Sequence, residues 1–193
     1  METIIVKENI EELLKYEKKV KSLAITKSEM LYFNSGADHA SIVMESIFNT
    51  SNNLIRIFAG NFNDEVCQKT GDRYVKALKN YLLKGKKIIV LLNELESKEK
   101  YNLILDVLKQ YSSSDKYKQN ISVRLTTFKP QQDGLNVHFT LGDDLMYRLE
   151  YDTKNFLAEF SFNRKDKVAS LTQIFDSVYQ NNSQYFDLST LQY

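Results

Sequence analysis

The segment LNVHFTLGDDLMYRLEYDTKNFLAEFSF, Leu135 to Phe162, constrains the fold of this chain more than any other. Three runs in it alternate apolar and polar residues, the period of strands with one buried face. Leu135, Val137, Phe139 and Leu141 share a face of the first run, and Leu145, Tyr147, Leu149 and Tyr151 share a face of the second. Directly opposed residues in an antiparallel pair point to the same side, so the turn must bring these two sets together. A two-residue turn opposes His138 to Tyr147 and mixes polar with apolar. A three-residue turn, Gly142-Asp143-Asp144, opposes Val137 to Leu149 and Phe139 to Tyr147. On the other face it opposes His138 to Arg148 and Asn136 to Glu150. The expected hairpin therefore gathers Asn136, His138, Arg148 and Glu150 on one polar face, which serves either as a site or as a polar cluster turned to solvent or a helix.

Upstream, apolar residues recur at helical spacing between short apolar runs. Asn9 with Glu12 reads as a capping box before a helix carrying Ile10, Leu13, Leu14 and Val20. Met30–Phe33 reads as a short strand. Ser35 with Asp38 opens a second helix, with Ala40, Val43, Met44, Ile47 and Phe48 inward. Leu54–Ala59 (LIRIFA) and Ile88–Leu92 (IIVLL) read as strands, the second apolar throughout, as expected of a strand covered on both faces. Between them Asn61–Thr70 reads as a loop and Tyr74–Leu82 as a helix stopped at Gly85. Ser97 is expected to open a helix with Tyr101, Ile104, Leu105 and Leu108 inward. Ile121–Thr126 is a further strand, Pro130–Gly134 a loop, and Asn163 caps a last helix with Val168, Leu171, Phe175 and Val178 inward. Alternating helices and strands followed by a meander predict an α/β fold with a mixed sheet between helices. We expect one domain over residues 1–193: an N-terminal helical extension (1–27), a core (28–180) and a tail (181–193) that docks or frays.

Composition excludes several classes. A formal net charge of +1 gives no strong field toward nucleic acid or an anionic membrane. One cysteine rules out an internal disulfide framework and a multi-cysteine zinc site. No apolar run approaches the ~20 residues of a membrane span. The N-terminus carries acidic residues, unlike a signal peptide, and a reducing, cytoplasmic compartment is expected. There is no glycine-rich phosphate loop and no Gly-x-Ser-x-Gly elbow. Two distant histidines and one cysteine predict no metal site and no cofactor. His39 reads as a partly buried helix residue, Cys67 as an ordinary thiol in a loop, and Asp143-Asp144 as turn residues.

Two regions resemble the phospholipase D-like superfamily. GADHASIVMESIFNTSNNLIRIFAGNF with YVKALKNYLLKGKKIIVLL is similar to its opening helix, strand, helix and central strand. VHFTLGDDLMYRLEYD leading to SFNRKDKVASLTQIFDSVY is similar to its active-site hairpin and closing helix. The superfamily motif is a His, a Lys two residues later, an Asp five after the Lys, then a Gly-Ser and Asn segment. His138 matches the His. Thr140 stands at the Lys position and Leu145 at the Asp position, beside Asp144, and no Gly-Ser follows. The resemblance implies His138 as nucleophile, with Arg148 the candidate replacement for the missing lysine. It also implies pairing of two single-motif copies as a homodimer.

Two functional readings follow. One is a catalytically degenerate phospholipase D-like binding or assembly module, its partner another protein in a multi-gene system such as a bacterial defence locus. Its binding candidates are Asn136, His138, Thr140, Arg148 and Glu150. The other is a metal-independent phosphodiesterase or nuclease acting as a dimer through His138.

Overall fold

Two apolar runs lie side by side as the parallel strands β2 (Leu54–Ala59) and β3 (Lys87–Leu92), in the interior of an eight-stranded mixed sheet. The structure is a computed structural model that describes residues 2–62, 64–95 and 97–193, with the side chains of residues 10–62, 66, 72–95 and 97–193. Strand β4 (Ile121–Thr126) adds parallel to β3, and β10 (Ser183–Tyr185) closes that edge antiparallel to β4. On the other side of β2 lies an antiparallel meander, β7 (His138–Gly142), β8 (Met146–Asp152) and β9 (Leu157–Ser161), followed by the edge strand β1 (Tyr32–Asn34). A separate ribbon pairs β5 (Gln131–Gln132) with β6 (Leu135–Asn136) across Asp133-Gly134, both at positive φ.

Alternation along each strand sorts the core into two layers. Ile55 and Ile57 of β2 face helices α1 (Glu2–Ile25), α2 (Gly36–Thr50), α3 (Asp64–Leu83) and α4 (Leu103–Ser112), and are buried with Val20, Ile47, Leu78 and Ile104. Phe58 turns the other way. With Phe139, Leu141, Tyr147 and Leu149 it packs under helix α5 (Lys165–Asn181), which brings down Val168, Leu171, Phe175 and Val178. This is the expected α/β fold with a mixed sheet between helices. The N-terminal helix is tied on by Arg73, whose guanidinium donates to Glu17 (3.1 Å) and Glu45 (2.9 Å). The tail docks through Phe186, Leu188 and Leu191.

Several expected boundaries move. Helix α1 begins at Glu2, so Asn9 lies inside it, and its side chain falls outside the described residues. Helix α3 begins at Asp64, so Cys67 lies in a helix and not in the expected loop, and its side chain falls outside the described residues. Helix α4 is capped by Asn102, whose side chain accepts from Leu105 N, rather than opened by Ser97, and Tyr101 is exposed. Ile89 is half-buried, not covered on both faces, whereas Val90 is fully buried.

The hairpin register is the main correction. His138 pairs with Glu150, Phe139 with Leu149 and Thr140 with Arg148. The turn is Asp143-Asp144-Leu145, and Gly142 remains in β7, paired with Met146. Gly142 is there for packing, since a Cβ on it would lie 2.9 Å from Met146 Cε and 3.0 Å from Ile47 Cγ2. Asp143 anchors the turn from a left-handed backbone (φ 52°). Its carboxylate accepts from the amides of Asn52, Asn53 and Leu54 (2.8–3.1 Å) and from the Ser51 hydroxyl. Moving the turn by one residue shifts each partner by two, so every side chain keeps its face.

Candidate functional site

His138 opens β7 beside the carboxyl end of β2, where the sheet changes from parallel to antiparallel. Ligands in open α/β sheets gather outside the carboxyl ends of the strands, at such topological changes. Because Phe139 and Leu149 point to α5, the alternate residues His138, Thr140, Arg148 and Glu150 point to the opposite face. That face is covered, so the polar cluster is buried rather than turned to solvent: Arg148 is 7% and Glu150 8% exposed.

A buried guanidinium and carboxylate need partners, and each has them. Arg148 Nε donates to Asn34 Oδ1 (3.1 Å) and Nη2 to Glu150 Oε1 (2.8 Å). Asn34, at the end of β1, is held in turn by donating Nδ2 to the Phe156 carbonyl (2.8 Å). Glu150 Oε2 lies 3.6 Å from His138 Nδ1. Burial pushes the Glu150 carboxyl up, but the Arg148 charge, the hydrogen bond from Arg148 and the neighbouring His138 ring prevail and hold it below the usual carboxylate range. The Arg148 charge also reaches Tyr16 on α1, whose buried hydroxyl has no hydrogen-bond partner among the described residues and whose pKa burial drives up.

A second carboxylate approaches the far edge of the ring. A Cβ built on Gly60 would lie 2.9 Å from Glu94 Oε2 and 3.0 Å from both His138 Nε2 and Cε1, so Glu94 and His138 converge over this glycine. Glu94 pairs with Lys129 (2.5 Å), which holds its carboxyl low. Beneath the ring a cavity of about 80 Å³ is lined by His138, Thr140, Arg148 and Glu150 and by apolar side chains including Met44, Ile57, Phe62 and Phe156.

Four of the five sequence-derived candidates thus meet. Asn136 does not: it sits exposed on β6, pairs with Gln131 and accepts a hydrogen bond from its side chain. The chain leaves β7 for the separate ribbon before position 136 can join the sheet. His39 lies apart from the cavity lining, stacked on Tyr16 with ring centroids 3.9 Å apart. Asn34, Gly60, Glu94 and Lys129 escape sequence reading, because no local pattern links them to His138. Among the described residues no group of three His, Cys, Asp or Glu is placed to hold a metal ion, and no helix is long and apolar enough to cross a membrane.

No protein-family model matches the sequence, and neither does any curated protein. Solved structures do match. NucT from Helicobacter pylori superposes with a TM-score of 0.55 at 13% identity, over 79% of this chain and 97% of that one. Nuc from Salmonella typhimurium, a phospholipase D family member, superposes with 0.54 at 12% identity, over 81% and 99%. This chain has the phospholipase D-like fold. TrmBL2, an archaeal chromatin protein that binds DNA, matches with 0.51 at 17% identity over 93% of this chain, which spans only 66% of TrmBL2. Within the phospholipase D-like fold, the resemblance puts the motif His at His138 and the motif Lys at Thr140. Both side chains lie on the same buried face.

Proposed function

We propose that this chain is a phospholipase D-like module that binds at the His138 pocket and does not cleave phosphodiesters. The observation that carries this reading is the state of Arg148. Beside His138, where Thr140 replaces the motif lysine, Arg148 is the buried cation, and Glu150 and Asn34 already engage it. Phosphoryl transfer through a histidine needs cationic charge not already offset by a carboxylate, to meet the charge that develops on the equatorial oxygens, and Glu150 already offsets Arg148. Loss of one such stabiliser typically lowers the rate by ~10²–10³. The surroundings add carboxylates, Glu150 and Glu94, on both sides of the ring.

One observation favours the alternative of an active phosphodiesterase. Glu150 faces Nδ1 of His138, an arrangement that orients a ring for nucleophilic work through Nε2. The same assay separates the two: product release from single-stranded DNA, RNA and a chromogenic diester, with and without EDTA. We expect none. Turnover that survives EDTA and disappears in His138→Ala would establish the active reading. Pairing into a homodimer belongs to the proposal through the resemblance. A monomer mass in size-exclusion chromatography with light scattering, across micromolar concentrations, would remove it. A protein partner, as in a multi-gene defence system, is the binding role most in keeping with a formal net charge of +1.

A further inference from the structure

The pocket's free valences name a ligand class. Glu150, its principal acceptor, has Oε1 occupied by Arg148 and Oε2 facing His138 Nδ1. Of the Arg148 donors, Nε and Nη2 are used, while the N–H groups of Nη1 meet no acceptor among the described residues. Thr140, 5% exposed, lines the cavity with a hydroxyl that makes no hydrogen bond among the described residues. Arg148 and Thr140, two residues lining the same small space, therefore each keep a polar group without a partner among the described residues, against walls that are otherwise mostly apolar. A group that leaves donors unmet in such a site forfeits binding, so an acceptor is selected.

Size and charge narrow the choice. A cavity of about 150 Å³ holds benzene, so the 80 Å³ here admits a head of about three heavy atoms. Glu150 already offsets Arg148, and Glu94 stands at the other edge of His138. A doubly charged phosphoryl head would meet a carboxylate on either side of the ring. A singly charged planar head needs only the Nη1 edge and one hydroxyl, and Arg presents its N–H groups in the plane a carboxylate matches.

We propose that the His138 pocket binds a small monocarboxylate, its head on Arg148 Nη1 and Thr140 Oγ1, with the rest of the ligand extending past His138. This inference rests on the binding-module reading above. The test titrates sodium propanoate and, separately, inorganic phosphate into the full chain at constant ionic strength, following the ring Cε1–H signal of His138 by NMR. Propanoate is expected to shift it saturably, and phosphate at the same concentrations is not. Thr140→Val, checked for an unchanged melting temperature, is expected to weaken propanoate about tenfold, the loss of one hydrogen bond to a charged group. Arg148→Lys, folded by the same check, is expected to abolish saturation. No saturable shift with propanoate in the folded wild type, saturation by phosphate instead, or unchanged affinity in Thr140→Val would each overturn the proposal. Phosphodiester turnover in the preceding assay would sink the binding-module reading itself. Silence in both assays would sink the carboxylate alone.

Discussion

Replacing Arg148 by Met tests whether the buried network is organised as described. The substitution keeps most of the apolar stem and removes the guanidinium. Glu150, 8% exposed, then loses the 2.8 Å bond to Oε1 and its main counter-charge, and keeps only His138 at 3.6 Å. Asn34 Oδ1, in a side chain 4% exposed, loses its donor as well. Breaking a buried pair by removing one partner costs ~3–5 kcal/mol, and we expect urea unfolding at pH 7 to return a loss in that range. The pH dependence must also invert. In the wild type the Glu150 pKa is depressed on folding, so its contribution is present above the unfolded value near 4.5 and is lost as pH falls through the folded one. Without Arg148, burial dominates and raises the folded pKa, so the variant regains stability as pH falls from 7 toward 5. The double variant Arg148→Met/Glu150→Gln removes the buried charge and is expected to recover most of the loss at pH 7. A single variant within 1 kcal/mol of wild type, or one that weakens further on acidification to pH 5, would refute the reasoning.

Three further outcomes are expected. Gly60→Ala introduces a Cβ within 3.0 Å of Glu94 Oε2 and His138 Nε2, both ends of side chains that can turn aside. It should leave stability within ~1 kcal/mol of wild type while moving the His138 ring resonances, and an unmoved spectrum would contradict the convergence over Gly60. Asp143→Ala strips the acceptor from three backbone amides, which should cost ~1–3 kcal/mol in urea unfolding; a neutral result would remove Asp143 as the anchor of the turn. His39 is held below its ordinary pKa by desolvation, against the opposing charge of Asp38. Its contribution is therefore full above pH 6.5 and declines as pH falls through the folded value. His39→Phe, which keeps the stack on Tyr16, should flatten the stability profile just below pH 6.5, and an unchanged slope there would assign it to other groups.

Local periodicity was enough to say that His138, Thr140, Arg148 and Glu150 share a face. Alternation has a period of two, and every admissible register preserves that parity. The same patterns disclosed β2, β3, α2 and α5, whose apolar residues recur at strand or helix spacing over a full element. Register lay beyond them. Slipping the partner strand by two residues leaves each face equally apolar, and the choice fell to contacts from elsewhere. Gly142 packs against Ile47 of α2, and Asp143 reaches the amides of residues 52–54. Asn136 shows the opposite failure: the alternation continues through it, but the backbone turns into a separate ribbon. The site's remaining members belong to the tertiary structure alone. Asn34 meets Arg148 across 114 positions of chain, and Glu94 and His138 both reach in over Gly60, which has no side chain to keep them away. Such contacts carry no periodic signature, since they depend on how β1, β2 and β3 are ordered in the sheet and not on any residue's near neighbours.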